Sequence, residues 1–504
     1  MASYVTLNGY DADARYPQFK GLLQYGDGIN ANPCYAREAM NMETPGGVLQ
    51  PAAKCCMLAP SLPEPIETLA LLHRRWYTGT EDKNILVAAS AGKLYAMLPD
   101  AQAWTELAMP EGVAGYQSNV WSWVAYEINP EGSAASVDVL LLSNAEDGMV
   151  MVRGDDMTVS VVNTPKKFGV IERYAERIWG GAITDDPDML VYSAPYDPTN
   201  WAANTEMPED GAGDIMQPSW DGDSFTALRS FGSQLIAFKR TRVWRILGTD
   251  PGEYTFKEQY GGGAPYTATI AVDAERIFML TDQGVVLYDG LAVSPFQQEY
   301  AKDIFAGMNH DALHQACACL WRGKYYCAFP CGDSEINNMV LIYDTVDGTW
   351  LVRDDVSVES FLPTENQLYF TSATTPGRIW LWHEDSWATG NATEKAARWM
   401  TPWNDLGSKK IVKGGFEVYL TCEAQDRPVT LRVSVQTEKK IKTKEYTVTA
   451  LTAAQKAQGR AYKQKRLHFG GSGRRFRLII ETDAGTPVWR LIGGVTVVAE
   501  IDPD

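Results

Sequence analysis

The segment that decides the fold opens with Ile178-Trp179-Gly180-Gly181-Ala182 and runs on through Tyr192-Ser193-Ala194-Pro195-Tyr196-Asp197-Pro198-Thr199-Asn200-Trp201. It continues through Gln234-Leu235-Ile236-Ala237-Phe238-Lys239 and Val243-Trp244-Arg245-Ile246-Leu247-Gly248. It closes on Ile277-Phe278-Met279-Leu280-Thr281 and Gly284-Val285-Val286-Leu287-Tyr288-Asp289-Gly290. Runs of about four to six β-branched and aromatic residues, broken roughly every 8 to 12 positions by Gly, Asp, Asn or Pro, predict consecutive short antiparallel strands. Nothing in this segment reads as a helix.

The rhythm continues in both directions. Before the segment come a series over residues 68–104 and a second over 118–162. The segment and its surroundings hold a third from residue 170, a fourth over 225–256 and a fifth over 268–296. A sixth covers 315–352 and a seventh 358–382. Units of roughly 35 to 50 residues with about four strands each point to a β-propeller, with seven blades expected and six or eight as the alternatives. The best-preserved piece is an outer hairpin in which an aromatic ends one strand and a turn follows. It recurs at Leu94-Tyr95 with Trp104, at Leu287-Tyr288-Asp289-Gly290, and at Ile342-Tyr343-Asp344 with Gly348-Thr349-Trp350.

The flanks differ from this core. Residues 1–44 have few apolar runs and many turn residues, which predicts an extended arm lying on other parts of the fold. The small, polar run at 388–393 suits a linker. Beyond it, strand patterns at 415–421, 429–436, 444–449, 465–469, 475–481 and 488–501 predict a β-sandwich. Residues 439–466 form its protruding basic hairpin, with a short helix over 451–459. The expected all-β architecture is thus an arm (1–44), a propeller (45–390) and a C-terminal sandwich (395–504).

Charge divides at the same place. From residue 395 onward there are 20 Lys and Arg against 11 Asp and Glu, a net of +9. The chain totals of 45 and 63 leave 25 and 52 for residues 1–394, a net of −27. So uneven a split predicts different neighbours for the two parts. No run approaches the roughly 18 apolar residues of a helical membrane span, and the N-terminus has no secretory pattern, so folding in a cytoplasm is expected. Eight unevenly scattered cysteines suit reduced, buried thiols rather than a disulfide framework.

Several motifs invite chemistry and are better explained without it. His310, His314, Cys317, Cys319, Cys327 and Cys331 match no usual zinc spacing, and the cysteines alternate as strand cores do. Residues 345–350 resemble an Asp box of sialidase-like propellers, but two steps are one residue short, so a plain turn is expected. Asp185, Asp186 and Asp188, Asp221 and Asp223, and Asp354 with Asp355 could pair for glycoside hydrolysis or hold calcium. The loop Asp221-Gly222-Asp223 is the better calcium candidate, yet these carboxylates mostly sit in turn contexts. Gly470-Gly471-Ser472-Gly473-Arg474-Arg475 lacks the Lys-Ser/Thr ending and following helix of a phosphate cradle, and is expected to be a tight hairpin turn.

Taken together, residues 41–49, 177–181, 192–201, 221–248, 284–290 and 343–350, followed by a sandwich, resemble the propeller structural proteins of tailed bacteriophages. The nearest in character are the tail hub, or packaged-DNA stabilisation, proteins of short-tailed phages. The resemblance implies a virion structural protein at the head-to-tail junction or tail hub, made in the host bacterial cytoplasm, with no catalytic residues, metal or cofactor. It implies a homo-oligomeric ring, six copies being favoured, that meets portal or adaptor proteins and other tail proteins and continues or closes the DNA channel. The alternative is a carbohydrate-binding or glycan-cleaving propeller with an appended binding domain. The residues expected to carry interaction are Lys439, Lys440, Lys442, Lys444, Lys463, Lys465 and Arg466. Docking on a neighbour's acidic propeller comes first for them, a solvated hairpin second, and contact with DNA phosphates without base reading third.

Overall fold

The computed structural model describes residues 6–7, 11–25, 34–75, 83–98, 103–129, 136–216, 223–423, 427–458 and 461–502. Residues that face protein on both sides of a sheet need no polar alternation, and the middle strands here show it: Val137–Asn144 is buried at every position. Such strands stack into seven four-stranded antiparallel units. The first is Thr68–Arg74, Lys83–Ser90, Lys93–Met97 and Thr105–Glu106, the second Ser122–Ile128, Val137–Asn144, Gly148–Arg153 and Val159–Val162. The third is Val170–Tyr174, Arg177–Gly181, Met189–Tyr192 and Gly213–Met216, the fourth Ala227–Phe231, Gln234–Phe238, Val243–Leu247 and Thr255–Gln259. The fifth is Ala271–Val272, Ile277–Thr281, Gly284–Tyr288 and Val293–Pro295, the sixth Cys317–Trp321, Lys324–Phe329, Met339–Asp344 and Thr349–Arg353.

The seventh unit takes Ser360–Pro363, Leu368–Thr371 and Arg378–Trp382 from its own stretch. Its outermost strand, Cys56–Ser61, comes from the beginning of the chain and pairs antiparallel with Arg378–Trp382. Ser360–Pro363 lies against Thr68–Arg74 of the first blade, which closes the ring. The apolar clusters lie between blades rather than within them. Leu72 and Val87 of blade one pack with Leu140 and Val152 of blade two, and Leu362 and Tyr369 of blade seven pack with Leu69 and Leu86 of blade one. A seven-bladed β-propeller follows.

The C-terminal part is two facing sheets. One orders Thr6–Leu7, Asp11–Tyr16, Leu491–Asp502, Val412–Glu423 and Tyr462–Gly473; the other carries Ala397–Met400, Phe476–Thr482, Val429–Thr437 and Ile441–Val448. Phe416, Val418, Leu431, Val433, Phe476, Leu478 and Val497 fill the space between them, all buried. The second sheet does not end at the sandwich. Glu38–Met40 pairs antiparallel with Ala397–Met400 and, through Met40 opposite Val352, in parallel with blade six, giving one nine-stranded sheet. The N-terminal segment therefore supplies strands to both sandwich sheets and to blade seven. Where it crosses blade six, a Cβ on Gly21 would stand 2.0 Å from the carbonyl oxygen of Trp350, so only glycine fits.

Among the described residues helix is confined to short pieces, Ala453–Ala457 falling inside the stretch expected to be helical. Two local expectations are corrected. Residues 470–475 are not a hairpin turn: Tyr462–Gly473 pairs with Val412–Glu423, whereas Phe476–Thr482 belongs to the opposite sheet, so the glycines lead a crossover. A Cβ on Gly473 would lie 2.6 Å from Oε2 of Glu438, which keeps that position free of a side chain. The basic stretch is a hairpin in its first half only, Val429–Thr437 with Ile441–Val448; its second half passes to Tyr462–Gly473 in the other sheet.

Candidate interaction surface

Two charged regions stand out, one buried at the junction of propeller and sandwich and one exposed at an end of the sandwich. At the junction Arg353, 1% exposed, forms a two-pronged pair with Asp355 at 2.8 and 2.6 Å, donates to the carbonyl of Ala53 at 2.7 Å, and stacks 4.5 Å from the Trp382 ring. Asp355 also accepts from Thr393 at 2.7 Å, and Asp354 accepts from Asn41 Nδ2 at 2.7 Å. Burial works against the charge on Asp355, yet the adjacent Arg353 guanidinium holds its carboxyl below the ordinary range. The Asp354–Asp355 pair thus ties the N-terminal segment to the linker and is consumed in doing so.

Glu43 lies beside this pair. Its carboxylate accepts from the Ala53 amide at 2.9 Å and from Gln50 Nε2 at 3.0 Å, and the same Nε2 donates to Asp385 at 2.9 Å. Burial pushes Glu43 up to about 7, against the opposing pull of Arg353, the Ala53 amide, Gln50 and Lys324. A cavity of about 60 Å³ lined by Glu43, Lys324, Tyr326, Arg353 and Glu384 has room for water rather than a sugar ring.

The seven expected interaction residues separate into three groups. Lys442 and Lys444 stand opposite the buried Val435 and Val433, and Lys463 and Lys465 opposite the buried Cys422 and Leu420. These four lysines therefore point along the inner faces of the sandwich's two edge strands. Lys444 Nζ lies 5.9 Å from the Phe469 ring and Lys465 Nζ 5.9 Å from the Tyr446 ring, across the open edge, while Lys463 Nζ bonds Thr449 at 2.6 Å. Inward-pointing lysines on edge strands discourage pairing with another sheet, which gives this group a protective role. Arg466 is on an outer face, bound by its Nε to Glu417 at 2.8 Å. Arg460, in the same basic run, lies outside the described residues.

Only Lys439 and Lys440, exposed at the turn of the hairpin, join a larger assembly. The Glu438 carboxylate beside them is occupied by the backbone amides of Arg474 and Arg475 at 2.6 and 3.3 Å, which brings the two turns together. Lys409 lines the same depression as Glu438, Arg474 and Arg475. The guanidiniums of Arg475 and Arg477 lie 4.9 and 4.7 Å from the Trp403 ring. Burial and then the nearby guanidiniums of Arg398, Arg37 and Arg475 pull Arg477 below its ordinary value, with Glu38 opposing. Three neighbouring turns thus carry Lys409, Lys439, Lys440, Arg474 and Arg475, and Arg475 together with Arg477 of the following strand lies against Trp403. Sequence reading missed four of these six and the tryptophan, because Trp403 and Arg475 are 72 positions apart; the run Arg474-Arg475-Phe476-Arg477 was the available signal.

The other candidate motifs occupy structural places. His310 and His314 are exposed in a 3-10 turn, whereas Cys317 and Cys319 are buried in the inner strand of blade six, where burial pushes both thiols up. Cys55, Cys56, Cys317, Cys319, Cys327, Cys331 and Cys422 are free thiols. Asp186 pairs with Lys166 at 2.6 Å, and Asp188 pairs with the fully buried Lys239. Asp221 and Gly222 lie outside the described residues. The Asp344 carboxylate accepts from the amides of Val346 and Asp347, so the stretch resembling an Asp box is closed by a side-chain-to-backbone turn. Among the described residues, no group of three or more His, Cys, Asp or Glu is placed to hold a metal, and no helix is long and apolar enough to cross a membrane.

No protein-family model matches the chain, and no curated protein is similar to it. Among solved structures it is similar to the WD40 domain of Neurospora crassa Pan2, with 10% identity and a TM-score of 0.33 over 64% of this chain and 90% of that one. It is similar to BBS1N in its complex with ARL6DN, at 9% identity and a TM-score of 0.40 over 66% and 97%. A third is the exo-β-1,3-galactanase of Phanerochaete chrysosporium with galactose, at 9% identity and a TM-score of 0.24 over 89% and 100%. These are likenesses of a propeller-like fold only; the blade order described above is what defines the fold here.

Proposed function

We propose that this chain is a structural protein of a tailed-phage virion, at the head-to-tail junction or tail hub, where copies form a ring that continues or closes the DNA channel. The observation that carries the reading is the nine-stranded sheet running from blade six into the sandwich, pinned by the buried Arg353–Asp355 pair. It makes a propeller and a sandwich behave as one block, which suits a subunit that must hold its neighbours in fixed geometry. The resemblance of the blade motifs to phage hubs supplies the class. In this reading there is no catalytic residue and no cofactor. Six copies contact one another, portal or adaptor proteins and other tail proteins, with any contact to packaged DNA made through phosphates. Counting copies in purified particles by quantitative mass spectrometry and electron microscopy tests it. A cyclic ring is expected, and one copy per particle overturns it.

A second reading has one observation in its favour. A groove of about 730 Å³ between linker and sandwich is lined by Trp387, Asn391, Glu394, Arg427 and Thr486, an aromatic plate with polar groups of the kind that holds a sugar. Glycan-array binding by the isolated protein, lost in Trp387→Ala, would favour this carbohydrate-binding role.

A further inference from the structure

The basic end around Trp403 has an electrostatic counterpart elsewhere on the same chain. In blade three, residues 204–214 present Glu206, Glu209, Asp210 and Asp214, all exposed and without an ion-pair partner among the described residues. Exposed Met207 (50%) and Met216 (54%) flank them. Within this loop the Asn204 side chain accepts from the amides of Glu206 and Met207, each at 3.1 Å. Beneath it Arg177, 1% exposed, donates to the carbonyls of Ser193 at 2.8 Å and Gly211 at 2.6 Å and to that of Glu209. A buried guanidinium thus fixes the loop's backbone at Glu209 and Gly211 and ties it to Ser193, leaving the carboxylates outward. A surface ordered before binding loses less entropy on association.

Position matters as much as sign. The sandwich continues from blade six, and blade three lies three blades away, the greatest separation that a ring of seven allows. The acidic loop and the blade that carries the sandwich therefore do not adjoin within one molecule. A contact between them in different molecules is heterologous, and such contacts build rings when the rotation closes and filaments when it does not.

We propose that the basic end of the sandwich, centred on Trp403, Arg474, Arg475 and Arg477, docks onto the acidic loop of blade three in a second copy of this chain. Guanidiniums held on an indole keep their N–H edges available to carboxylates. The methionines beside the acids give the tryptophan apolar surface to cover. This assignment deepens the ring reading and rests on it for its biological setting, but the contact itself is testable on purified protein.

The test uses two charge-reversed proteins. One carries Lys439→Glu, Lys440→Glu and Arg474→Glu; the other carries Glu206→Lys, Glu209→Lys and Asp210→Lys. All six positions are exposed, so the fold should survive, and unchanged melting checks this. Wild-type protein at low salt is expected to self-associate in sedimentation, and carbodiimide should join Lys409, Lys439 or Lys440 of one isotope-labelled copy to Glu206, Glu209 or Asp210 of an unlabelled one. Each variant alone should associate about a hundredfold more weakly, because like charges then face each other. Mixing the two should restore association, since every end then finds an opposite loop, and the copies must alternate. Absence of those cross-links in the wild type, or variants that assemble as well as it does, overturns the docking. Particles that still hold a ring would in that case leave the ring reading standing, whereas a single copy per particle removes the ring reading alone.

Discussion

The junction around Arg353 and the basic end around Trp403 hold charge on opposite terms. At the junction Arg353 and Asp355 are out of water and matched to each other, Arg353 also holding the Ala53 carbonyl, while the part-exposed Asp354 accepts from Asn41. At the basic end, Arg474, Arg475, Lys439 and Lys440 stand in or near solvent and outnumber the two carboxylates beside them, Glu438, which is taken up by backbone amides, and Asp405. Desolvation explains the difference. A buried ion left alone costs several kcal/mol, so it must be matched inside the molecule, whereas a solvated one can be left unmatched until another surface arrives. Matched charge here fixes the shape of the subunit; unmatched charge is what remains for its neighbours.

That contrast breaks first at Arg353. Arg353→Met strands Asp355 in the interior and should lower stability by about 3–5 kcal/mol, read as loss of the folded baseline in denaturant melts. The double variant Arg353→Met, Asp355→Leu should recover much of the loss, and no recovery would mean that packing against Trp382, not charge, is what matters.

Next in size is a pH effect at Glu43. Its folded value is raised to about 7 from an ordinary 4.5, so the stability it adds is fully present below about 4.5 and is lost as pH rises through 7. Relative to Glu43→Gln, the wild type should lose roughly 3 kcal/mol between pH 4.5 and pH 8. Asp355 acts in the opposite sense: its folded value is depressed, so its contribution is present above the ordinary carboxylate range and is lost on acidification. Parallel pH–stability curves for wild type and Glu43→Gln would show that Glu43 keeps its ordinary value in the fold.

Effects at the basic end should be smaller. Trp403→Leu removes two cation–aromatic contacts, worth about 1 kcal/mol together at a half-exposed site, and should weaken self-association more than it lowers the melting temperature. Smallest of all in stability is the edge. Changing Lys442, Lys444, Lys463 and Lys465 together to Thr should leave melting unchanged yet promote edge-to-edge aggregation, visible as turbidity on concentration. Clear solutions at high concentration would remove the protective role assigned to these lysines.

How much of this was legible before folding follows from where each strand finds its partner. Blade strands buried on both faces write their state locally, as in Val137-Asp138-Val139-Leu140-Leu141-Leu142, and these were readable. Cys56-Met57-Leu58-Ala59-Pro60-Ser61 has no such run and mostly exposed positions, so its place in blade seven was not readable; only the vacancy beside Arg378–Trp382 calls for it. Ala397–Met400 is too short to announce a strand, and its membership of a sheet that begins in blade six is a property of the assembled fold. The basic run was visible as charge. Its division into edge lysines, a paired arginine and a docking end depends on which face each residue takes, and that is decided by partners in two different sheets.

The N-terminal segment also sets a timetable. Asp11–Tyr16 pairs with Leu491–Asp502, about 480 residues later in the chain, and Cys56–Ser61 waits for Arg378–Trp382. At a synthesis rate of about 5–20 residues per second, Asp11–Tyr16 waits roughly half a minute or longer for that partner. A segment made early is therefore set in place late. The ring can close once Arg378–Trp382 has been made, whereas the join between the first strands, blade six and the sandwich waits for Leu491–Asp502.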